Sequence, residues 1–204
     1  MAKIQEDSNT QEAILNAARK VFLREGMAGA RMQDIADEAG INKALLHYYF
    51  RSKNQLFERI FQESAQRLLP RIGEILESGD SLFGKIEAFC SEYVTQIREN
   101  PFIPLFVITE VNRQPEAFLK KVFGKKRPNI ALLSAQIAEA VQKKQIKPIH
   151  PMQLIMNMLS LCIFPFLARP VIQKVAGVND KLFDELIEER KTAVAQFIID
   201  SIRK

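Results

Sequence analysis

The stretch Ala30–Leu56, ARMQDIADEAGINKALLHYYFRSKNQL, decides the reading of this chain. It carries the pattern of two short amphipathic helices joined by a glycine turn, with a third helix opening directly afterwards. Gly40 follows the last periodic residue of the first helix, where the backbone needs a left-handed conformation that glycine adopts without Cβ strain. Asn42 stands where a helix start needs a side-chain oxygen for orphan backbone N–H groups. Ile35, Ala36 and Ala39 share one face of the first helix, and Ile41 plugs the turn. Leu46 and Phe50 share an inward face of the second, with Tyr49 beside them. At about 100° per residue, the outward face of that helix centres on Ala44 and Tyr48, flanked by Leu45 and His47. Two helices so joined form a helix-turn-helix, whose second helix fits the major groove of DNA.

The flanks agree. Ser52 and Gln55 form S-x-x-Q, a capping box for the next helix, with Lys53 in its first turn. A lysine there opposes the helix dipole unless an anion lies outside that helix end. Upstream, Ser8 and Gln11 form a second candidate box, with Thr10 a rival cap. Ala13, Ile14, Ala17, Ala18, Val21 and Phe22 then recur at helical spacing until Gly26 ends the run. Three such helices bury one small core and present the third outward.

AILNAARKVFLREG on the first helix and DIADEAGINKALLHYYFRSKNQLF after it resemble the TetR/AcrR family of bacterial transcription regulators. The resemblance covers roughly residues 8–68 and implies an all-α chain. Residues 8–68 are then an N-terminal helix-turn-helix DNA-binding domain, and 69–204 a C-terminal effector-binding and dimerisation domain. It also implies nine-helix subunits paired as a homodimer, with two reader helices in successive major grooves. The function it implies is a repressor released from a palindromic operator by a small hydrophobic effector. The candidate DNA contacts are Arg31, Gln33, Asn42, Lys43, Leu45, His47, Tyr48, Tyr49 and Lys53. The chain departs from the family pattern in three places. Ala30, Arg31 and Met32 stand where a small hydroxylated residue is usual, Ala44 and Leu45 where Gly or Pro then Thr or Ser is frequent, and His47 in place of a tyrosine.

Composition sets the outer bounds. The 204 residues, 47% of them hydrophobic, with mean hydropathy −0.09, describe a globular chain of one large or two small domains. MAKIQEDSNT has no apolar stretch of the secretory kind, so a cytoplasmic protein is expected. Cys90 and Cys162 are far apart in sequence and embedded in apolar runs; they are expected as separate reduced core thiols, not a disulfide or redox pair. The net charge of +5 suits a polyanion, yet residues 1–51 carry seven Lys/Arg against seven Asp/Glu. The excess lies in residues 113–147, with nine Lys/Arg and two Glu. DNA binding must therefore rest on a few placed cations, such as Arg31, Lys43, Arg51 and Lys53.

Beyond residue 56 the pattern predicts helices punctuated by Pro and Gly. These run over about 52–76 with Pro70 a kink, 81–98, 101–112 opened by Asn100-Pro101, 115–123, 128–144, 151–173 and 179–202. His150–Ala168 holds nineteen residues without charge, the length of a membrane span. Gln153, Asn157, Ser160 and Pro165 interrupt it, and burial between a pocket and a dimer partner explains it better. The final helix carries a broad apolar stripe of Phe183, Leu186, Ile187, Val194, Phe197, Ile198 and Ile202. Of these, Phe183, Ile187, Val194, Phe197 and Ile198 are expected at a four-helix dimer interface. Phe89, Tyr93, Phe102, Phe106, Met152, Met156 and Phe164 are the candidate pocket lining. The basic run 120–129, KKVFGKKRPN, reads first as a solvated loop and second as a patch for a phosphate-bearing effector or flanking DNA. Phosphate-loop and metalloprotease motifs are absent, and the two histidines, His47 and His150, have no metal-ligand spacing, so no enzyme, cofactor or metal is expected. A helical enzyme or protein-interaction module is the competing class.

Overall fold

The computed structural model describes the backbone of residues 2–123 and 128–204 and, within them, every side chain except those of residues 2–6 and 8. Eleven helices are described: α1 Ala2–Gly29, α2 Met32–Glu38, α3 Lys43–Tyr49, α4 Lys53–Glu77, α5 Leu82–Glu99, α6 Ile103–Arg113, α7 Pro115–Phe123, α8 Ile130–Gln142, α9 Pro151–Leu167, α10 Arg169–Ala176 and α11 Asp180–Ile202. Among the described residues there is no strand, only an antiparallel bridge between Ile146 and Arg203. The fold is all-α, with an N-terminal helix-turn-helix and a C-terminal helical part, as the sequence predicts. The chain divides into two compact units, residues 1–65 and 66–204, with the division inside α4.

The first unit is built on one small core. Ile14, Ala17, Ala18, Val21 and Phe22 of α1 are buried with Ile35 and Ala36 of α2, Leu46 of α3, and Leu56, Phe57, Ile60 and Phe61 of α4. Phe22 and Phe57 meet edge to face, centroids 5.2 Å apart, the arrangement aromatic quadrupoles prefer. Two sequence expectations shift here. The stripe on α1 includes Leu15, while Ala13 is exposed. The helix also starts at Ala2, so Ser8 and Thr10 lie inside it and do not cap its start; the Ser8 side chain is outside the described residues. Gly26 does break the helix, at φ +67, and one more turn follows it.

The turn after α2 closes as glycine allows. The Gly40 N–H donates to Asp37 O at 3.1 Å and the Ile41 N–H to Ala36 O at 3.0 Å, the paired bonds of a Schellman motif, with Gly40 at φ +68. These bonds set the angle at which α3 leaves α2.

In the second unit α5 packs against both α9 and α11. Ile86, Cys90, Val94 and Ile97 of α5 share one core with Leu154, Met158 and Cys162 of α9 and the inner face of α11. That inner face corrects the expected dimer set. Phe183, Ile187, Val194 and Ile198 are 2–3% exposed and pack inside their own chain. The broad stripe read from the sequence covers two adjacent helix faces, because positions 100° apart per residue drift across more than one. The second face, Leu182, Leu186 and Phe197, points outward, with Phe197 65% exposed.

Two helix boundaries also differ. The single helix expected over 151–173 is bent by 64° between α9 and α10, at Ala168. Pro170 has no N–H to bond back and its ring crowds the preceding turn, so the axis cannot continue. Asn100 closes α5 instead of opening α6; its N–H donates to Ile97 O at 3.0 Å, and α6 begins after Phe102. Among the described residues no single helix is long and apolar enough to cross a membrane. Cys90 and Cys162, expected as unrelated thiols, are brought together by the α5–α9 packing. Both thiols are buried in the one core that α5, α9 and α11 share.

Candidate nucleic-acid interface

α3 is positioned from both ends. At its start the Asn42 side-chain oxygen accepts from the Leu45 N–H at 2.8 Å, satisfying one of the orphan donors. At its end the Tyr49 hydroxyl donates to Asp7 Oδ1 of α1 at 2.7 Å, a bond that raises the phenol above its ordinary range. Between them Leu46 is fully buried and anchors the helix. What remains outside is a compact face: Lys43, Ala44, Leu45, His47 and Tyr48, with Tyr48 78% and Leu45 38% exposed. No acidic residue stands on this helix. Tyr48 stands edge-on to Tyr49, ring centroids 5.1 Å apart, which restricts its swing. A phenol and an imidazole can donate to or accept from base edges, alkyl groups can pack on thymine methyls, and an ammonium can meet phosphate.

The other candidates divide. Arg31 sits at the N-cap of α2 with an exposed side chain, and its N–H donates to Asp34 Oδ2 at 3.3 Å. Gln33 is exposed but donates to Asp37 Oδ1 at 2.8 Å one turn along. Asn42 and Tyr49 are engaged in holding α3, so the oxygen of each serves the fold before any ligand. Lys53 is a sharper correction. Its ammonium donates to Ala28 O at 3.1 Å and Ala30 O at 3.0 Å, closing the carbonyl end of α1. A helix end leaves its last carbonyls without intrahelical partners, and here a first-turn lysine of α4 answers Ala28 O and the adjoining Ala30 O. The Ser52 cap forms as expected, Ser52 Oγ accepting from Gln55 N at 3.3 Å, but the return bond from Gln55 reaches Arg51 N at 2.8 Å.

Ion pairs hold several acidic residues of this unit. Glu38 is held by Lys20 at 3.0 Å and Arg24 at 3.7 Å, and the hydrogen bond from Lys20 keeps its carboxyl below the usual range. Glu63 joins Arg19 at 2.7 Å to Arg59 at 3.0 Å. None of these paired acids stands on α3, whose exposed face carries no acidic side chain. Sequence reasoning missed the Tyr49–Asp7 and Lys53–Ala30 ties, which join residues 42 and 23 positions apart and leave no periodic signal.

In the second unit, a cavity of about 220 Å³ is bounded by α4, α5, α8 and α9. Of the expected lining, Phe89 and Tyr93 are there, stacked at 5.2 Å and 19°, together with Leu68, Ile72, Met158 and Leu159. Burial pushes the Tyr93 phenol up to about 12. Met152, Met156 and Phe164 instead lie on the far side of α9, 44%, 54% and 63% exposed. Phe102 and Phe106 do not line the cavity, and the Phe106 ring meets Phe118 at 6.4 Å. Periodicity again explains the miss: Met152 and Met158 stand on different faces of one uncharged, largely apolar helix, and hydrophobicity alone cannot say which faces inward. Lys120 and Lys121 of the basic run are exposed on α7, whereas residues 124–127 lie outside the described residues.

Residues 14–60 match the family profile described as "Bacterial regulatory proteins, tetR family". The chain is 26% identical over 199 residues to the HTH-type transcriptional regulator RutR of Escherichia coli K12, covering 96% of this chain and 92% of that one. It is 26% identical over 137 residues to IcaR, the negative transcriptional regulator of the biofilm operon icaADBC in Staphylococcus aureus, covering 67% and 72%. The crystal structure of HlyIIR, a hemolysin II transcriptional regulator, shares the fold at TM-score 0.61 and 22% identity over 97% of this chain and 98% of that one. A TetR/AcrR regulator from Thermobifida fusca does so at TM-score 0.59 and 18% identity, over 96% and 100%. Residues 14–60, which hold the reader, thus match the TetR-family profile, and nearly the whole chain shares the helical fold of regulators of that kind.

Proposed function

We propose that this protein is a ligand-responsive, DNA-binding transcriptional repressor, acting in the cytoplasm as a homodimer on a palindromic operator. The observation that carries the reading is the α3 face. A solvent-exposed tyrosine, histidine, leucine and lysine stand on a helix locked at both ends and free of acidic side chains. Exposing Tyr48 and Leu45 to water costs the chain burial it could have had, which a binding face recoups against base edges.

Two further features support the rest of the reading. Met152, Met156 and Phe164 on α9, and Leu182, Leu186 and Phe197 on α11, form outward apolar faces on two helices packed against each other. Paired with their symmetry mates, they make a four-helix interface. The cavity behind Phe89 and Tyr93 exceeds the ~150 Å³ that accepts a benzene ring, so it suits a small apolar effector. An effector there bears on α4, whose first residues belong to the reader unit.

Selection of duplexes from a random pool by the purified protein, followed by binding across a salt series, tests the function. A recovered palindrome, bound far more tightly than random DNA and weakened steeply by salt, is the expected outcome. Recovery of no common sequence sinks the reading in favour of a protein-interaction module.

A further inference from the structure

We propose that the cavity behind Phe89 and Tyr93 takes an uncharged aromatic molecule carrying one hydrogen-bond acceptor, selected by the Tyr93 hydroxyl. The assignment rests on the effector reading of that cavity and adds the chemical class of the effector and the residue that recognises it. Among the described residues, every lining side chain other than Tyr93 belongs to Leu, Ile, Met, Pro or Phe. No charged group stands among them. A carboxylate, phosphate or ammonium entering this cavity would lose its hydration with no partner to replace it, so ionic effectors are excluded.

The cations of the neighbouring wall are already engaged. Arg67 and Arg71 stand on either side of the lining residues Leu68 and Leu69 in α4, and they pair with Glu99 at 3.3 Å and Glu92 at 3.7 Å on α5. Neither arginine lines the cavity. The walls that remain are soft and partly flat. The Phe89 and Tyr93 rings stack at 5.2 Å and 19°, and Phe123 supplies a third ring. Ring faces and edges of this kind favour a planar guest by their quadrupoles as well as by area. At about 220 Å³ the cavity is larger than the ~150 Å³ that accepts benzene, which leaves room for a ring with a short substituent.

The substituent is defined by Tyr93. It carries the one hydroxyl on the described lining, and among the described residues that hydroxyl has no hydrogen-bond partner. Burial keeps the phenol protonated, so it stands as a donor without an acceptor. A polar group left in that condition costs the fold free energy, and a guest that accepts from it removes the cost. A ketone, aldehyde or ester oxygen on an aromatic ring accepts such a bond and brings no charge. A plain hydrocarbon fills the same volume and leaves the phenol unpaired.

The test titrates the full-length protein, without DNA, with acetophenone, ethylbenzene and benzoate, and repeats the series on Tyr93→Phe. Ketone and hydrocarbon have nearly the same shape, but the ketone is costlier to dehydrate, so the readout is the change on substitution and not the ranking. Acetophenone should bind about 3–10-fold more weakly to Tyr93→Phe, the scale of one net hydrogen bond, while ethylbenzene binds both proteins alike. Benzoate should bind neither. Leu159→Phe, which fills the cavity from α9, should weaken acetophenone and ethylbenzene together. Equal effects of Tyr93→Phe on the two neutral probes, benzoate bound as well as acetophenone, or binding undiminished by Leu159→Phe overturns the proposal. Acetophenone that binds as expected yet leaves operator affinity unchanged sinks the effector reading and leaves the ligand class standing.

Discussion

The Lys53 ammonium lies 3.0 Å from the Ala30 carbonyl oxygen, so the first turn of α4 is bonded to the chain entering α2. A second bond from the same nitrogen reaches Ala28 O at 3.1 Å. Lys53 is half-buried and acts first as a brace for the reader. Lys53→Met should cost about 1–2 kcal/mol of stability, the scale of lost hydrogen bonds to a charged group at a partly exposed site. Denaturant unfolding checks it, and unchanged stability with a salt slope of DNA binding reduced by about one would return Lys53 to the role of a phosphate contact.

Gly40 gives a cleaner test of the turn. It sits at φ +68 with nothing within 4 Å of where a Cβ would stand, so alanine meets backbone strain and no clash. Gly40→Ala should destabilise by about 1–2 kcal/mol. A neutral or stabilising change in the unfolding midpoint would show that the turn tolerates another geometry.

Tyr48 carries the reader. At 78% exposure its ring contributes little to the core, so Tyr48→Ala should fold normally and lose roughly 1–3 kcal/mol of specific DNA binding for a lost base contact. Circular dichroism and operator titration separate the two effects. Full operator affinity in this variant contradicts the assignment of the outward face.

The reader was legible in the sequence because its signals are local: Gly40 after a helix, Asn42 before one, and Leu46 at the right phase are all read within one turn. The roles of Lys53 and Tyr49 were not, because their partners Ala30 and Asp7 lie far along the chain. In the second unit the helices were legible, but their orientation was not. Phe197 and Ile198 are neighbours on an apolar stretch, yet one is 65% and the other 2% exposed. Composition tells such residues apart poorly, since a helix buried on one side by its own chain and covered on the other by a partner is apolar on both. That Cys90 and Cys162 share one core likewise needed the α5–α9 packing.

That neighbouring pair yields a prediction about assembly. Phe197→Glu should leave the chain folded and monomeric, because the carboxylate is solvated in the free subunit and costly when buried at an interface. Ile198→Ala should instead cost about 2–5 kcal/mol of stability and leave the dimer in place. Light scattering and thermal unfolding on the two variants distinguish these outcomes. A dimeric Phe197→Glu places the interface elsewhere.

The most direct measurement is binding of the full-length protein to its selected operator before and after five base pairs are inserted between the half-sites. Two reader helices fixed by a twofold dimer need half-sites about 34–36 Å apart on one side of the duplex, and half a helical turn rotates one site to the opposite side. Two chains per operator, with affinity falling to that of random DNA after the insertion, is the expected result. One chain per operator, or affinity indifferent to the insertion, contradicts a dimeric repressor reading DNA through α3.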